Sequence, residues 1–444
     1  MISLTALLPI YAVPLAVAVA GWAIHHQQRS ARNRALLVRS RAAGLAEPPG
    51  LHPRIDPARC IGCGACVRAC PEAGVLGLVG RTATLIEPSA CVGHGVCRDA
   101  CPTAAISLAF GTATQGIAVP VLGPGGETNV PGIHIAGELA GLGLIRNAIN
   151  QGREVIEHIA AALRREGAQA GEDLLDVVIV GCGPAGLAAS LGAKAHGLNF
   201  VTLDQSSLGG SVAHYPRGKL VMTAPAQLPL IGAVQLGSVS KDELLAFWEE
   251  VLNRTGLAPR FEEHVRNVER DGGAFVVVSD KATYRTRRVL LAMGRGGTPR
   301  RLGVPGEELA KVVYRLSDPD QYAGQRVMII GGGDSALEAA KALTDVPGTA
   351  ITLVYRGKAF ASALPENRAA VEGLGAAGTV AIHRAARPVA ITPATVEIEG
   401  PDGLLSLAND AVIACLGGTM PREWLAQLGI AVETHHGVIA GQMG

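Results

Sequence analysis

Seven cysteines fall between positions 60 and 101 at spacings that leave few alternatives. Cys60, Cys63, Cys66 and Cys70-Pro71 form C-x2-C-x2-C-x3-C-P, and Cys91, Cys97 and Cys101-Pro102 answer it downstream. In such a run three thiolates on a tight loop hold one iron-sulfur cluster while the fourth reaches a second cluster. Cys60, Cys63 and Cys66 are therefore expected to share a 4Fe-4S cluster with Cys101, and Cys70 to join Cys91 and Cys97. Structural zinc needs only four tetrahedral ligands and would leave three thiols without a role. Disulfides fit less well, because most cysteines sit at ligand-like spacings and the other two, Cys182 and Cys415, are far apart in sequence. A metal site in a reducing compartment is the better fit.

The second half of the pattern departs at one place: His94 stands between Cys91 and Cys97 where a cysteine is expected. Imidazole can replace thiolate on iron and raises the potential when it does. Three readings stand open: His94 ligates a second 4Fe-4S cluster, the corner is empty and the cluster is 3Fe-4S, or His94 faces solvent in a Gly-flanked loop.

Ahead of the cysteines, residues 2–24 carry no charge, and Arg29, Arg32, Arg34, Arg39 and Arg41 follow with no acid before Glu47. A helix of that length just crosses a hydrocarbon core of about 30 Å. The expectation is a single transmembrane helix (1–28) kinked at Pro9 and Pro14, with the arginines holding the catalytic part on the cytoplasmic side of the cell membrane. A cleaved signal peptide is the alternative, but there is no basic leading region and no clear cleavage site. The net charge of +1 and the lack of a basic run interleaved with aromatics set nucleic acid aside as a partner.

The remaining chain divides into a linker (29–55, Pro- and Gly-rich from 42 to 58), a cysteine domain (56–110), a Gly-rich stretch with an amphipathic helix (111–165), and a second linker over 166–172. From 172 onward strand and helix alternate. The runs 176–181 and 326–331 are near-continuous apolar strands, each entering a glycine cluster and then an Ala-rich helix, as buried parallel strands do. The echo implies two nucleotide-binding domains of α/β class.

In the first, Gly181, Gly183 and Gly186 give G-x-G-x-x-G between strand and helix, and Asp204 follows 23 residues later at the end of the next strand. The glycines make the turn, admit a pyrophosphate and let the helix pack closely, and the acid is placed for a ribose hydroxyl. The second has Gly331 and Gly333 with Ala336 in the third small position, and Asp334 and Ser335 at the helix mouth. Arg356 and Lys358 stand where an acid would select NAD, so NADP(H) is favoured over NAD(H); a solvated surface charge is the competing reading of Arg356.

These pieces resemble the pyridine nucleotide-dependent flavoprotein reductases with two dinucleotide domains, especially thioredoxin reductase and the ferredoxin-NADP reductases on its plan. The matching stretches are 181–186, 208–216 with Gly210, 290–307, 331–340 and 410–421. The resemblance implies FAD in the first site and NADPH in the second, with a FAD-binding domain over 172–300, an NAD(P)-binding domain over 301–409 and a return to the FAD domain over 410–444. The family's dithiol is missing, since no C-x-x-C lies in the NADPH-domain region. The family's final flavin-binding segment, a Gly-Asp pair followed by a helix, is found upstream at 127–160 with Gly137-Glu138 in that role. The expected fold is thus a circularly permuted FAD domain (its last segment at 111–165) with an inserted NAD(P) domain, both Rossmann-like, preceded by an α+β ferredoxin-like domain and one transmembrane helix.

Nicotinamides exchange electron pairs, clusters exchange single electrons, and a flavin does both. The expected activity is a membrane-anchored oxidoreductase moving electrons between NAD(P)H, FAD and the clusters, to or from a redox protein or small-molecule acceptor. No catalytic acid or base is identifiable. A homodimer is compatible with this plan. The other readings are a non-turnover electron-transfer subunit or redox sensor of a membrane complex, and a sulfur reductase using Cys182 or Cys415.

Overall fold

The computed structural model describes residues 4–48, 50–72, 74–113, 116–141, 143–167, 173–215, 220–222, 225–235, 238–295 and 300–439. The chain divides into two compact units, Met1–Phe110 and Gly111–Gly444. Most of the second linker expected over 166–172 lies outside the described residues, as do 296–299 of the 290–307 stretch.

The first unit begins with one helix, Leu4–Ala42. It runs through Pro14 and past Ile24 into His25, His26, Gln27, Gln28 and Arg29 without a break. The expectation of a single-pass membrane anchor, and with it a location in the cell membrane, is overturned: among the described residues no helix is long and apolar enough to cross a membrane. The linker expected from 29 is helical as far as Ala42, because nothing between Gly21 and Gly44 breaks it and its polar face is bonded to a hairpin. Asn33 Nδ2 donates to the Leu78 carbonyl at 2.8 Å, and the Gly80 amide donates to Ser30 Oγ at 2.7 Å.

The cysteine domain starts earlier than expected. Leu51–Ile55 pairs antiparallel with Ile106–Phe110, so the two ends of the domain close on each other, and Leu76–Val79 and Thr82–Leu85 form a hairpin between. Two short helices, Ala65–Ala69 and Val96–Asp99, each follow a left-handed glycine, Gly64 and Gly95. The unit is thus a twofold repeat of loop and helix.

In the second unit, strands Leu174–Val180 and Phe200–Leu203 lie parallel, and Thr283–Leu291 adds on the other side, also parallel. Val265–Asp271 and Ala274–Ser279 continue the sheet as an antiparallel meander. Ile133–Ile135 pairs parallel with the end of the same Thr283–Leu291 strand, so residues from ahead of the first glycine turn complete its sheet. The helix Ile145–Glu166 buries Ile149, Val155, Ile156, Ile159 and Leu163, four of them against the Pro184–Ala195 helix and the sheet. The crossing is close because position 152 has no side chain: a Cβ on Gly152 would meet the backbone of Ala185. Further on, Ile117–Pro120 pairs antiparallel with Val432–His435, and Asn129 bonds both ways with the chain at Gly429 and Ala431, at 2.8 Å each.

The second α/β layer has parallel strands in the order Val312–Val313, Ala411–Ala414, Arg326–Ile330, Ala350–Tyr355, Val380–Arg384, with helices Asp334–Thr344 and Pro365–Ala376 and its own apolar core. An antiparallel meander, Arg387–Ile391, Thr395–Gly400 and Gly403–Ala408, packs on it.

Candidate functional site

At the first glycine turn, Gly181 has φ +106, and a side chain there would strike the Ala292 carbonyl at 2.5 Å. A Cβ on Gly186 would meet the Gly181 carbonyl, which lets the Pro184–Ala195 helix start close against the strand. Gly183 caps that helix, and the atom nearest to a side chain there would be Gly210 Cα at 3.8 Å. The helix N-terminus and the Gly210 turn therefore face each other with no side chain between, the geometry that admits a phosphate group. Asp204 is buried: the Cys182 amide donates to its Oδ2 at 2.6 Å and the Ser206 amide to its Oδ1 at 2.8 Å. Its carboxylate braces the turn and also lines a cleft of about 310 Å³ together with Gly181, Gly210, His214, Glu263 and Arg315.

Gly137-Glu138 comes to the same place. The Gly137 amide donates to Gln151 Oε1 at 2.8 Å, and a Cβ on Gly137 would lie 3.0 Å from the Ala185 side chain. Glu138 Oε2 would sit 3.6 Å from a Cβ on Gly294. Burial raises the Tyr215 phenol, helped by Glu138 and by Glu338 of the second domain. Burial pulls Arg295 down, and Glu138 opposes this. Tyr215, Arg295 and Arg315 are thus site-facing residues that sequence reasoning did not single out. Tyr215 and Arg295 lie inside matched stretches and could have been flagged, but nothing local marks Arg315. Cys182 is wholly buried in the turn, and burial drives its thiol far above the usual range, so it is placed as a core residue. Cys415 is likewise pushed up to about 12 by burial.

At the second turn Gly331 has φ +148, and its missing side chain makes room for the Cys415 carbonyl. Gly332 lies against the Tyr355 ring, and Gly333 faces open space. The Asp334 carboxylate is engaged internally, accepting from the Leu364 amide and from Asn367 Nδ2 at 2.8 Å each, so it ties the two helices together. Arg356 and Lys358 are exposed just past the Ala350–Tyr355 strand.

Six of the seven cysteines fall in two neighbourhoods drawn from both halves of the module, while Cys63 is exposed on its loop. Cys66 feels Cys60 and Cys101, whereas Cys91 feels Cys70, and Cys97 feels Cys91 and Cys70 and, last, Cys66. Burial first, and neighbouring sulfur charge second, push Cys91 and Cys97 up to about 11. Such buried sulfurs become thiolates only where a cation compensates them. Amides already point at sulfur: Ala83 donates to Cys60 Sγ at 3.5 Å and Ala105 to Cys101 Sγ at 3.3 Å. Gly62 and Gly93 take left-handed φ where a side chain would strike the backbone of Arg81 or Leu51, so each loop can hug its sulfurs. Among the described residues no three of His, Cys, Asp and Glu close on a single ion-sized point. His94 lies with Cys70, Cys91 and Cys97 around a small cavity, and its Nε2 is 3.8 Å from Glu72 Oε1.

Comparison with known proteins agrees with this geometry. Residues 178–440 match the pyridine nucleotide-disulphide oxidoreductase family, and residues 52–102 match the 4Fe-4S dicluster domain. The bacilliredoxin reductase Bdr of Bacillus subtilis is 28% identical over 59% of this chain and 82% of its own length. A ferredoxin-NADP reductase of Streptococcus equi subsp. zooepidemicus is 34% identical over 43% of this chain, and only 56% of that protein is covered. The solved bacillithiol disulfide reductase Bdr (YpdA) from Staphylococcus aureus superposes with a TM-score of 0.53 at 26% identity, over 58% of this chain and 81% of that one. The chain belongs to the pyridine nucleotide-disulphide oxidoreductases, as a flavin-dependent oxidoreductase that carries a 4Fe-4S ferredoxin module ahead of its dinucleotide domains.

Proposed function

We propose that this chain carries electrons between NADPH and a one-electron acceptor by way of FAD and the clusters. The observation that carries the reading is the coupling of a dicluster unit to a two-dinucleotide fold with no cysteine between 301 and 409, where a disulfide reductase of the thioredoxin reductase plan needs its dithiol. A bound flavin exchanges electrons pairwise with nicotinamide and singly with iron-sulfur clusters. In this reading Gly181, Gly183, Gly186 and Gly210 admit the FAD diphosphate, Asp204 fixes the turn and faces the ribose, and Gly137-Glu138 lies along the flavin's ribityl side. Gly331, Gly333 and Ser335 receive the NADPH diphosphate, Asp334 holds that turn in shape, and Arg356 takes the 2′-phosphate.

The FAD domain is circularly permuted in this reading, its last segment preceding its first strand. The pairing of Ile133–Ile135 with Thr283–Leu291 and the packing of the 145–166 helix on the 184–195 helix support it. The ferredoxin unit is then joined by covalent chain to the flavin-binding piece itself. Cys60, Cys63, Cys66 and Cys101 hold one 4Fe-4S cluster. Cys70, Cys91 and Cys97 hold the second, with His94 at its fourth corner. The name ferredoxin-NADP reductase among the relatives supports NADPH and a redox-protein partner.

The test is NADPH-dependent reduction of ferricyanide or a viologen by purified protein containing FAD and iron. Turnover is expected, with NADPH preferred to NADH. No turnover with both cofactors in place refutes the reductase reading and favours an electron-transfer subunit.

A further inference from the structure

The cleft at the Gly181–Gly183 turn contains one side chain from the other dinucleotide domain: Arg315, just beyond the Val312–Val313 strand. Its other charged or titratable lining groups are Asp204, Glu263, His214 and His264. Asp204 accepts two backbone amides, and Glu263 Oε1 accepts the Ser279 and Tyr284 hydroxyls at 2.6 Å each, so both carboxylates are structurally committed. Burial holds both histidines below their ordinary value, so they are neutral at pH 7. Arg315 is then the one permanent cation among the described lining residues. Its charge reaches the cleft, since it is the next cause after burial that holds His214 down. A dinucleotide diphosphate seated at the helix N-terminus would bring two negative charges beside two carboxylates. The helix end supplies only about half a positive charge.

We propose that Arg315 clamps the diphosphate of the dinucleotide in the first site, reaching it from the second domain. A guanidinium suits the task because its planar fork pairs two phosphate oxygens at once, which an ammonium cannot do. The inference rests on the reading that FAD occupies the first cleft.

The experiment titrates flavin-stripped full-length protein with FAD and with riboflavin, which lacks the diphosphate, following flavin fluorescence, and with NADPH at the second site as control. Arg315→Leu is expected to weaken FAD about tenfold or more while leaving riboflavin and NADPH unchanged. Arg315→Lys should recover part of the loss. FAD binding equal to wild type in Arg315→Leu overturns the clamp, as does equal weakening of riboflavin, or of NADPH, which would mark a general folding defect. Wild-type apoprotein that takes up no FAD overturns the reading of the first site and the clamp with it.

Discussion

Two helical glycines should respond to the same substitution with opposite signs. Replacing glycine by alanine inside a helix ordinarily gains about 0.4–1 kcal/mol, chiefly through the unfolded chain. Gly373, in the Pro365–Ala376 helix, is exposed and a Cβ there meets nothing within 4 Å, so Gly373→Ala should gain that amount. At Gly152 a Cβ would lie 2.8 Å from the Ala185 carbonyl carbon and 3.0 Å from its Cα, closer still to the oxygen. These are backbone atoms, which cannot swing aside as a side-chain end does. Overpacking of this kind costs about 1–3 kcal/mol, and a clash with backbone belongs at the upper end. Subtracting the helix gain leaves a net loss of about 2 kcal/mol for Gly152→Ala, or roughly 4–8 °C in melting temperature for a domain of 150–250 residues. Thermal unfolding followed by release of bound flavin reads this domain directly. A Gly152→Ala protein as stable as wild type would refute the close crossing of the 145–166 and 184–195 helices, and with it the main support for a permuted flavin domain.

Other expectations can be checked as directly. His94→Cys should give two 4Fe-4S signals in EPR of the reduced protein and no three-iron signal when oxidised; a three-iron signal in the oxidised wild type would refute His94 as a ligand. Arg356→Ala should raise the KM for NADPH about tenfold while leaving that for NADH nearly unchanged, and equal changes would make Arg356 a plain surface charge. His134 is buried with Nδ1 3.1 Å from the Gly125 carbonyl, and burial depresses its pKa below 6.5. Below pH 6.5 the unfolded chain then takes up a proton first, so stability falls as pH drops toward the depressed value, and His134→Asn should flatten that part of the profile in urea titrations. A slope unchanged in the variant would assign the effect elsewhere.

Local signatures were legible because local geometry dictates them. The glycines at 181 and 331 are readable from sequence because a left-handed turn pressed against a neighbouring strand excludes a side chain. The cysteine spacing is readable because a loop of two-residue gaps must wrap its sulfurs round something. The N-terminal segment misled for a related reason. Its lack of charge over 2–24 is a local property, but the same helix runs on to Ala42, with Ser30 and Asn33 bonded to a hairpin some 45–50 residues away.

By itself, then, the sequence determined that this chain has cluster-type cysteines and two glycine turns of the dinucleotide-binding pattern without a family dithiol. Only the tertiary structure decided that Ile133–Ile135 completes the sheet behind the first turn and that Arg315 lines the cleft. Those outcomes join residues more than 100 positions apart, and hydrophobic burial selects such pairings through the whole packed core, where no short stretch of sequence carries the information.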